Sequence, residues 1–379
     1  MAKINVPRLR FREFNESWQS NNLGDKLKVT MGQSPHSKNY TNDCNQNILV
    51  QGNADILDGK INPRIYTSEV TKVSKKNEII MTVRAPVGEL AVNYFSSVVI
   101  GRGVASLAGN SFDYFLLERS KMIGIWNRLS SGSTFDAVNS SDIKSLKINY
   151  PSLNEQKIIG SFFVKIDKII ELKKKKLELL KKLKQGYIKK MLTENEELIP
   201  KLRFSRFNGT WKKLNIGEVI NYEQPTKYIV KSTKYSDEFS TPVLTAGKTF
   251  LLGYTNEESV KVASETNPVI IFDDFTTSSH YVNFPFKVKS SAMKILTAAN
   301  NNDTYFMYCL LKSINYVPAD HSRQWISNFS KMSLMIPDYY EQNKISLFIK
   351  KIDKMINVQC KEIKALQQEK KAYLQKMFI

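Results

Sequence analysis

Residues 151–168 read PSLNEQKIIGSFFVKIDK and residues 337–354 read PDYYEQNKISLFIKKIDK, so one segment occurs twice at an offset of 186 residues. After each proline, apolar residues recur in alternating steps of four and three, from Ile159 to Met191 in the first copy. This spacing predicts a long helix with a narrow apolar stripe, about 48 Å in length. Because such a stripe needs a cover, we expect the two helices to pack on each other. The alternative is that each helix packs on its own domain.

The two apolar stripes match position by position. Polar residues interrupt them at the same two places, Lys173 and Lys184 in the first copy and Gln359 and Lys370 in the second. The predicted helix-pairing positions of the first helix are Ile159, Phe163, Ile166, Ile170, Leu177, Leu180 and Tyr187. Those of the second helix are Ile345, Ile349, Ile352, Ile356, Ile363, Leu366 and Tyr373.

A second repeat opens each half of the chain. Residues 6–11 read VPRLRF and residues 199–204 read IPKLRF, and a tryptophan follows each at the same offset of 193 residues. Between the repeated segments, residues 26–130 and 219–318 show little resemblance to each other. The chain is therefore a duplicated scaffold that carries two different inserts.

Both inserts contain short β-rich runs separated by Gly, Pro, Asn and Ser clusters, with helices expected over residues 114–129 and 304–315. These features predict an α+β fold with an internal pseudo-two-fold repeat. We expect mixed α/β domains over residues 1–150 and 199–336, followed by long helices over residues 151–198 and 337–379, respectively.

The composition indicates a folded chain with a polyanionic partner. Of the 379 residues, 42% are hydrophobic and 11% are aromatic, which is enough for two or three domains with their own cores. The formal net charge is +20, and residues 157–192 hold 12 Lys against 3 acidic residues, while residues 343–378 hold 9 Lys against 3. DNA or RNA is the first partner that this charge suggests. For the helix lysines, the alternative is the solvated face of an exposed helix.

The cysteines and the start of the chain indicate a reducing compartment. Cys44, Cys309 and Cys360 are far apart and odd in number, and no apolar core of a signal peptide follows Met1. No run approaches the roughly 18 apolar residues of a membrane span. We expect a cytoplasmic protein with no membrane partner.

The search for catalytic or metal-binding motifs finds only near-matches. Gly247–Thr249 ends like a phosphate-binding loop, but Pro242 stands where that motif needs its first glycine. The three histidines lack His or Cys neighbours at metal-ligand spacing, and no glycine-rich cofactor loop or Asn/Asp-Pro-Pro-aromatic methyltransferase motif occurs. At Asp273 and Asp274, which follow an apolar run, a strand-end turn or a base-contacting loop is favoured over a metal site. We predict no catalytic residue, metal or cofactor in this chain, which argues against a self-sufficient nuclease or methyltransferase.

Together, the paired segments resemble the DNA specificity subunits of type I restriction-modification systems. The resemblance is carried by PRLRF and PKLRF with their tryptophans, and by the two Pro…Glu-Gln…Ile-Asp segments. Inside the inserts it extends to residues 84–88, 131–135 and 272–275. It implies two target-recognition domains separated by two helices that pair as an antiparallel coiled coil. Each domain would read one half of a split site in double-stranded DNA, with the halves about one helical turn, roughly 34 Å, apart.

The same resemblance implies partner subunits that carry the chemistry. Two modification subunits, which methylate adenine with S-adenosylmethionine, would dock on the helices and nearby shared segments. They would recruit restriction subunits that use ATP and Mg²⁺, and the chain itself would be a non-catalytic specificity subunit. The alternative function is a coiled-coil interaction protein that binds an acidic protein through its lysines and has no sequence-specific role on DNA.

Base reading requires side chains with directed donors and acceptors, such as Arg for guanine, Asn or Gln for adenine, and Ser or Thr for either. In the first domain the candidate DNA contacts are Gln33, Ser34, Lys38, Arg84, Arg102, Ser133 and Thr134. In the second domain they are Thr226, Lys227, Tyr228, Lys248, Thr277, Ser278, Arg323 and Gln324. For each of them, the alternative is an ordinary surface or turn residue.

Overall fold

A computed structural model describes residues 5–130, 137–193, 197–247, 249–299, 301–318 and 322–379. The chain forms two compact units. Unit 1 consists of Met1–Lys174 together with Lys361–Ile379, and unit 2 consists of Lys175–Cys360. Each unit therefore contains one insert and a part of each long helix.

The elements up to the first long helix are, in order, β1 (Gln19–Asn22), α1 (Leu23–Lys26), β2 (Lys28–Met31), β3 (Tyr40–Thr41), β4 (Asn47–Val50), β5 (Ile56–Leu57), β6 (Lys60–Ile61), β7 (Ile65–Thr67), β8 (Val73–Lys75), β9 (Ile79–Thr82), β10 (Leu90–Val92), β11 (Ser97–Ile100), β12 (Val104–Ala108), α2 (Ser111–Met122), α3 (Ile125–Ser130), α4 (Ser140–Lys144), β13 (Lys147–Tyr150) and α5 (Leu153–Met191). The elements of the second half are β14 (Lys212–Asn215), α6 (Ile216–Val219), β15 (Ile220–Glu223), β16 (Thr241–Leu244), β17 (Leu251–Thr255), β18 (Val269–Asp273), β19 (Ser279–Val282), β20 (Lys287–Val288), β21 (Met293–Ala298), α7 (Thr304–Ser313), α8 (Gln324–Ser327), β22 (Ser333–Ile336) and α9 (Tyr339–Met377).

The two inserts share a sheet although their sequences differ. Its strand order is β2-β12-β9-β10 in unit 1, where β6 and β5 extend it, and β15-β21-β18-β19 in unit 2. Neighbours among these first four strands are antiparallel in both units. Each unit also has one equivalent parallel pair, β4 with β11 and β16 with β20, and unit 1 has a second, β6 with β10. The predicted α+β fold and its duplication are confirmed, and the duplication extends into the inserts.

The central strands of the shared sheet explain the uninterrupted apolar runs of the inserts. All four residues of β9 are buried, and four of the five residues of β18 are buried. In unit 1 the helix α2 and the first turns of α5 cover one face of the sheet through Phe112, Phe115 and Phe163. A strand that is covered on both faces has no solvent side that would alternate with polar residues.

The helices of the inserts agree with the prediction at one place and differ at another. Helix α7 begins after Asp303, whose carboxylate accepts a hydrogen bond from Phe306 N (2.7 Å). The single helix expected over residues 114–129 is wrong, because α2 ends at Met122 and α3 begins at Ile125. Gly124 lies between them with φ of 75°, a left-handed conformation that ends helices and favours glycine.

The long helices α5 and α9 each span 39 residues and run antiparallel. In unit 1, Phe162 of α5 packs edge-on against Tyr373 of α9 (5.2 Å between ring centroids), and Asp167 pairs with Lys370 (2.7 Å). Residue numbers rise along one helix as they fall along the other, so the direction that the resemblance implied is confirmed.

The same pairing occurs within unit 2. Tyr187 packs edge-on against Phe348 (4.8 Å), and Lys184 pairs with Asp353 (2.6 Å). Lys184 and Lys370 are equivalent polar interruptions of the two stripes, and each pairs with the aspartate of the opposite helix's Ile-Asp-Lys segment. This interruption therefore forms two matched ion pairs, which favour one register of the helices. The other interruption is not matched in this way, since Lys173 pairs with Glu362 (2.6 Å) and Gln359 is a buried amide.

None of the predicted helix-pairing residues is exposed. Buried among them are Ile159, Phe163, Ile170, Leu180, Ile345, Ile349, Ile352 and Ile363, and half-buried are Ile166, Leu177, Tyr187, Ile356, Leu366 and Tyr373. Phe163 lies 5.0 Å from the Phe115 ring of the insert and 5.8 Å from the ring of Phe378, which follows α9. In unit 1 the stripe is thus covered both by the insert and by the second helix.

A buried ion pair anchors each copy of the opening segment to its long helix. Arg10 donates to both carboxylate oxygens of Glu155 (2.7 and 2.8 Å), and Arg203 donates to both oxygens of Glu341 (2.7 Å each). Both carboxylates are 1% exposed. This contact explains why the repeat keeps an arginine in its opening segment and a glutamate at the start of its helix.

Candidate nucleic-acid interface

A cleft of about 310 Å³ in unit 1 brings together three predicted DNA contacts, Ser34, Arg84 and Arg102. The other residues that line it are Gln51, Gly52, Asn53, Ala85 and Gly103. The topology explains their convergence. Strands β2 and β9 both run antiparallel to β12, so their carboxyl ends lie where β12 begins, and β4 ends beside its parallel neighbour β11. The loops that follow these strands therefore meet.

Backbone hydrogen bonds fix these loops to one another. Gln33 N donates to Ile100 O (2.9 Å), Gly101 N donates to Val50 O (2.8 Å), and Arg102 N donates to the Ser34 hydroxyl (3.1 Å). Ser34 thus uses its hydroxyl oxygen to position the arginine-bearing turn, and it lies only partly exposed in the wall of the cleft.

Glycines allow the backbones to approach closely at this point. A Cβ atom at Gly103 would overlap the carbonyl oxygen of Gln51, and one at Gly32 would overlap the carbonyl oxygen of Gly101. A Cβ at Gly52 would have no atom within 4 Å among the described residues. Gly103 and Gly32 are therefore required for the packing of the loops, whereas Gly52 is not.

Two exposed arginines flank the cleft. Arg84 forms an antiparallel bridge with Ala137, and the next residue, Val138, donates its N–H to Val83 O (2.9 Å). In the parts of the chain that the structure describes, neither the Arg84 nor the Arg102 guanidinium has a carboxylate or a hydrogen-bond partner. Both arginines thus present their N–H donors to solvent, and hydrogen bonds fix the backbone of the turns that carry them.

The remaining predicted contacts of the first domain lie outside the cleft. Gln33 is exposed next to Ser34, and Lys38 is exposed on a short 3-10 helix formed by Ser37–Asn39. Ser133 and Thr134 lie outside the described residues.

In unit 2, Thr226 and Lys227 are exposed on a 3-10 turn, Pro225–Tyr228, at the same offset of 193 from Gln33 and Ser34. The turn comes just before Val230, whose N–H donates to Val288 O (3.0 Å) as Gln33 N donates to Ile100 O in unit 1, so Thr226 and Lys227 precede the position equivalent to Gln33.

Tyr228 is held by its own domain. Its hydroxyl donates to Glu223 Oε1 (3.0 Å), and Lys261 Nζ lies 5.4 Å from its ring centroid. Burial raises the pKa of the Tyr228 phenol, and the hydrogen bond to Glu223 raises it further. The structure supports a positioning role for this side chain.

Thr277 and Ser278 lie in the tight turn between β18 and β19 and are half-buried. Thr277 has φ of 60°, and Asp273 Oδ1 accepts hydrogen bonds from Phe275 N (2.9 Å) and Thr276 N (2.8 Å). Asp273 therefore holds a strand-end turn, which is one of the two interpretations that the sequence favoured over a metal site.

Gln324 requires a correction, because the structure places it inside the domain at 1% exposure. Its Oε1 accepts hydrogen bonds from the Tyr316 hydroxyl and from Asn328 Nδ2 (2.7 Å each), and its Nε2 donates to Ser322 O (3.0 Å). The amide is occupied and does not face solvent, so it supports the loop and does not read a base. Its neighbour Arg323 is exposed, and Lys248 lies outside the described residues.

Gln51 and Asn53, which line the cleft beside the arginines, were not predicted from the sequence. Their amides suit adenine. A signal was present, since polar residues directly follow the apolar run Ile48–Val50 and flank a glycine. Without the parallel pairing of β4 and β11, however, nothing in the sequence brings that strand end to Arg84.

Among the described residues, no group of three or more His, Cys, Asp or Glu side chains is placed to hold a metal ion. Over the same residues, no helix combines the length and apolar character needed to cross a membrane.

The lysine-rich run of α5 is partly neutralised. Lys173 pairs with Glu362 (2.6 Å) and Lys174 pairs with Asp58 (3.0 Å). Exposed ion pairs of this kind contribute little to stability, but they reduce the positive charge that this segment offers to a phosphate backbone.

A model of the type I restriction modification DNA specificity domain matches residues 15–182 and 208–368. The chain belongs to this family of DNA specificity domains. The two matches coincide with the two copies of the scaffold and its insert. The Arg84–Arg102 cleft thus lies inside the first DNA specificity domain, and the Pro225–Tyr228 turn lies inside the second.

Relatives of the chain include specificity subunits. The type I restriction enzyme EcoR124I/EcoR124II specificity subunit of Escherichia coli is 51% identical over 128 residues, which cover 33% of this chain and 32% of that subunit. The MjaIX specificity subunit of Methanocaldococcus jannaschii is 25% identical over 342 residues, which cover 81% of this chain and 78% of that subunit. The chain thus matches about a third of the first relative's length and most of the other's.

Solved structures share the fold of this DNA specificity family member. The type I restriction-modification S subunit from M. genitalium has a TM-score of 0.66 at 19% identity, with 99% of each chain covered. A chain from a structure that concerns complex assembly and conformational transition of the type I R-M system has a TM-score of 0.56 at 14% identity, covering 97% of this chain and 99% of that one. At these identities the likeness concerns the fold.

Proposed function

We propose that this chain is the DNA-reading subunit of a type I restriction-modification complex. Each insert reads one half of a bipartite site in double-stranded DNA. The observation that carries the proposal is the duplication. This chain contains two DNA specificity domains that share one sheet framework, and the equivalent loops of the two domains have different side chains. Two copies of one reading device with different contact residues suit two different half-sites.

The charge and the exposed cleft support DNA as the ligand. A net charge of +20 favours a polyanion, and the Arg84 and Arg102 guanidinium groups, which have no partner among the described residues, suit base edges or phosphates. As the DNA-reading subunit of such a complex, the chain acts where the DNA lies, in the cytoplasm.

The long helices offer surfaces for partner subunits. Outside the pairing stripe, α5 exposes Ile169 (45%) and Leu172 (53%) in unit 1, and Leu179 (65%) and Leu183 (48%) in unit 2. Exposed apolar side chains that recur on a helix favour a protein partner. We propose that two modification subunits dock here and methylate adenine with S-adenosylmethionine, and that restriction subunits with ATP and Mg²⁺ join them.

Selection from a pool of random duplex DNA tests the reading function. The chain is purified with the modification subunits of its host, and the bound DNA is sequenced. We expect two short specific halves around an unspecified spacer. Enrichment of no sequence by a properly assembled complex would contradict the proposal and favour the alternative of a coiled-coil interaction protein.

A matched pair of substitutions tests the docking surface. Leu179→Glu places a charge on the exposed apolar surface, whereas Gln185→Glu adds the same charge at another exposed position of α5. We expect the first substitution to reduce co-purification of the modification subunit at least tenfold and the second to leave it within twofold. Equal recovery with both variants would place docking elsewhere.

A further inference from the structure

We propose that Arg84 and Arg102 read guanine in the half-site bound by unit 1. The inference rests on the proposed DNA-reading function and adds to it the base that is read and the residues that read it.

Backbone hydrogen bonds establish which residues of the two inserts are equivalent. In unit 1, Val83 N donates to Gly103 O (2.9 Å), and Val83 O accepts from Val138 N (2.9 Å). In unit 2, Asp274 N donates to Ala292 O (2.8 Å), and Asp274 O accepts from Gln324 N (2.7 Å). Val83 and Asp274 thus make the same two bonds in the same sheet. The residue that follows is Arg84 in one unit and Phe275 in the other.

The second arginine lies in an equivalent turn. Gly101 N donates to Val50 O (2.8 Å), as Lys289 N donates to Leu244 O (3.1 Å). The turn then continues through Arg102 to Gly103 in unit 1 and through Ser290 and Ser291 to Ala292 in unit 2. At the loop positions that correspond to the cleft, unit 1 therefore has two arginines and unit 2 has a phenylalanine and serines. The arginines therefore distinguish the loops of unit 1 from the equivalent loops of unit 2.

The geometry of the arginines favours base reading over simple charge attraction. Both side chains are exposed and have no protein partner among the described residues, yet hydrogen bonds hold their turns in place. A planar guanidinium on a fixed turn can donate two parallel hydrogen bonds to guanine O6 and N7, the commonest base-specific contact in the major groove. Gln51 and Asn53 in the same cleft add groups that can recognise a neighbouring base.

Lysine substitutions separate reading from attraction, because lysine keeps the charge and loses the planar fork. The assay uses the full complex with its modification subunits and compares the binding of duplexes that carry each base pair at every half-site position. We expect the wild-type complex to require a G·C pair at one or more positions of one half-site. Arg84→Lys or Arg102→Lys should lower that discrimination by about 5- to 150-fold. The other half-site should stay fully discriminated, which shows that the variant is folded.

A modified base identifies the contacted atoms. Replacing the required guanine with 7-deazaguanine removes the N7 acceptor and should weaken binding by the wild-type complex. The same replacement should have a smaller effect on the lysine variant at the position that the arginine reads, since the contact is already lost.

Lys76→Ala is the control for lost charge, because Lys76 is exposed and precedes β9, whereas Arg84 follows the other end of that strand. Because Lys76 lies at the opposite end of the strand from the cleft, we expect its loss to leave the discrimination at every half-site position unchanged. An equal weakening of binding to all sequences by Arg84→Lys and Arg102→Lys would overturn the guanine assignment, and so would two half-sites that both lack a G·C pair. If the wild-type complex selects no bipartite sequence at all, the proposed function itself fails.

Discussion

Removal of Arg203 should destabilise unit 2 far more than the loss of a surface arginine would. The Glu341 carboxylate is 1% exposed and accepts two hydrogen bonds from Arg203 (2.7 Å each) and one from Trp211 Nε1 (3.2 Å). Arg203→Ala leaves that charge buried with the indole as its main donor. Breaking a buried pair in this way costs about 3–5 kcal/mol. For a unit of this size, that loss lowers the melting temperature by roughly 6–20 °C.

Two further variants identify the cause. The double variant Arg203→Met/Glu341→Gln removes both charges and keeps an acceptor for the Trp211 N–H. We expect its free energy of unfolding to exceed that of Arg203→Ala by at least ~1 kcal/mol. Arg206→Ala removes an exposed arginine three residues away and should change the stability by less than about 0.5 kcal/mol.

Differential scanning calorimetry and urea titrations followed by circular dichroism measure these changes. The transition of unit 2 should move, and that of unit 1, which has its own Arg10–Glu155 pair, should stay. If Arg203→Ala costs no more than Arg206→Ala, or if the double variant is as unstable as the single one, the buried pair does not anchor the unit as described.

Other predictions concern single positions. Lys370→Met leaves the part-exposed Asp167 and Glu118 carboxylates without their shared cation (2.7 and 2.8 Å) and should cost about 1–3 kcal/mol of stability. A smaller cost when Asp167 is changed to Asn in the same chain would confirm the coupling. Gly103→Ala should displace the turn that carries Arg102, and thereby lower both the melting temperature and the affinity for DNA. Gly52→Ala in the same cleft should keep the melting temperature within about 3 °C of the wild-type value. Cys44 is exposed, whereas burial raises the pKa of the Cys309 thiol to about 12. At pH 8 a thiol reagent should therefore modify Cys44 rapidly and Cys309 only as the chain unfolds. Rapid modification of Cys309 in the folded protein would contradict its buried position.

The parts of the fold that repeat could be predicted from the sequence because their signals are periodic and duplicated. The apolar stripe from Ile159 to Met191 predicted a long helix, and its second copy predicted the partner. The pairing of Lys184 with Asp353 could not be read from either copy alone, since it depends on the direction in which the helices run. That direction came from the family resemblance.

The candidate site was predictable in part. Arg84 and Arg102 were proposed from residue type, but their convergence in one cleft depends on pairings among β2, β4, β9, β11 and β12 that lie far apart in sequence. Gln324 was misassigned for the converse reason. Its residue type suits a base, but Tyr316 and Asn328 occupy its amide, and nothing local in the sequence indicates those contacts.

The shared sheet of the inserts was also beyond the sequence comparison. Val83 and Asp274 make equivalent backbone bonds although one is apolar and the other is a buried acid that pairs with Lys294 (3.3 Å). Backbone hydrogen bonds use only main-chain N–H and C=O groups, so two inserts can keep the same sheet while their side chains differ. A framework of this kind permits new base contacts without a new fold.

If this chain selects the DNA sequence that its complex modifies, its removal must change which adenines are methylated. Single-molecule mapping of methylated adenines in host DNA, with the gene present and deleted, measures this in a strain shown to express the modification subunit. Deletion should remove one bipartite motif from the map, and restoring the gene should bring it back. An unchanged map in that strain would contradict this role of the chain.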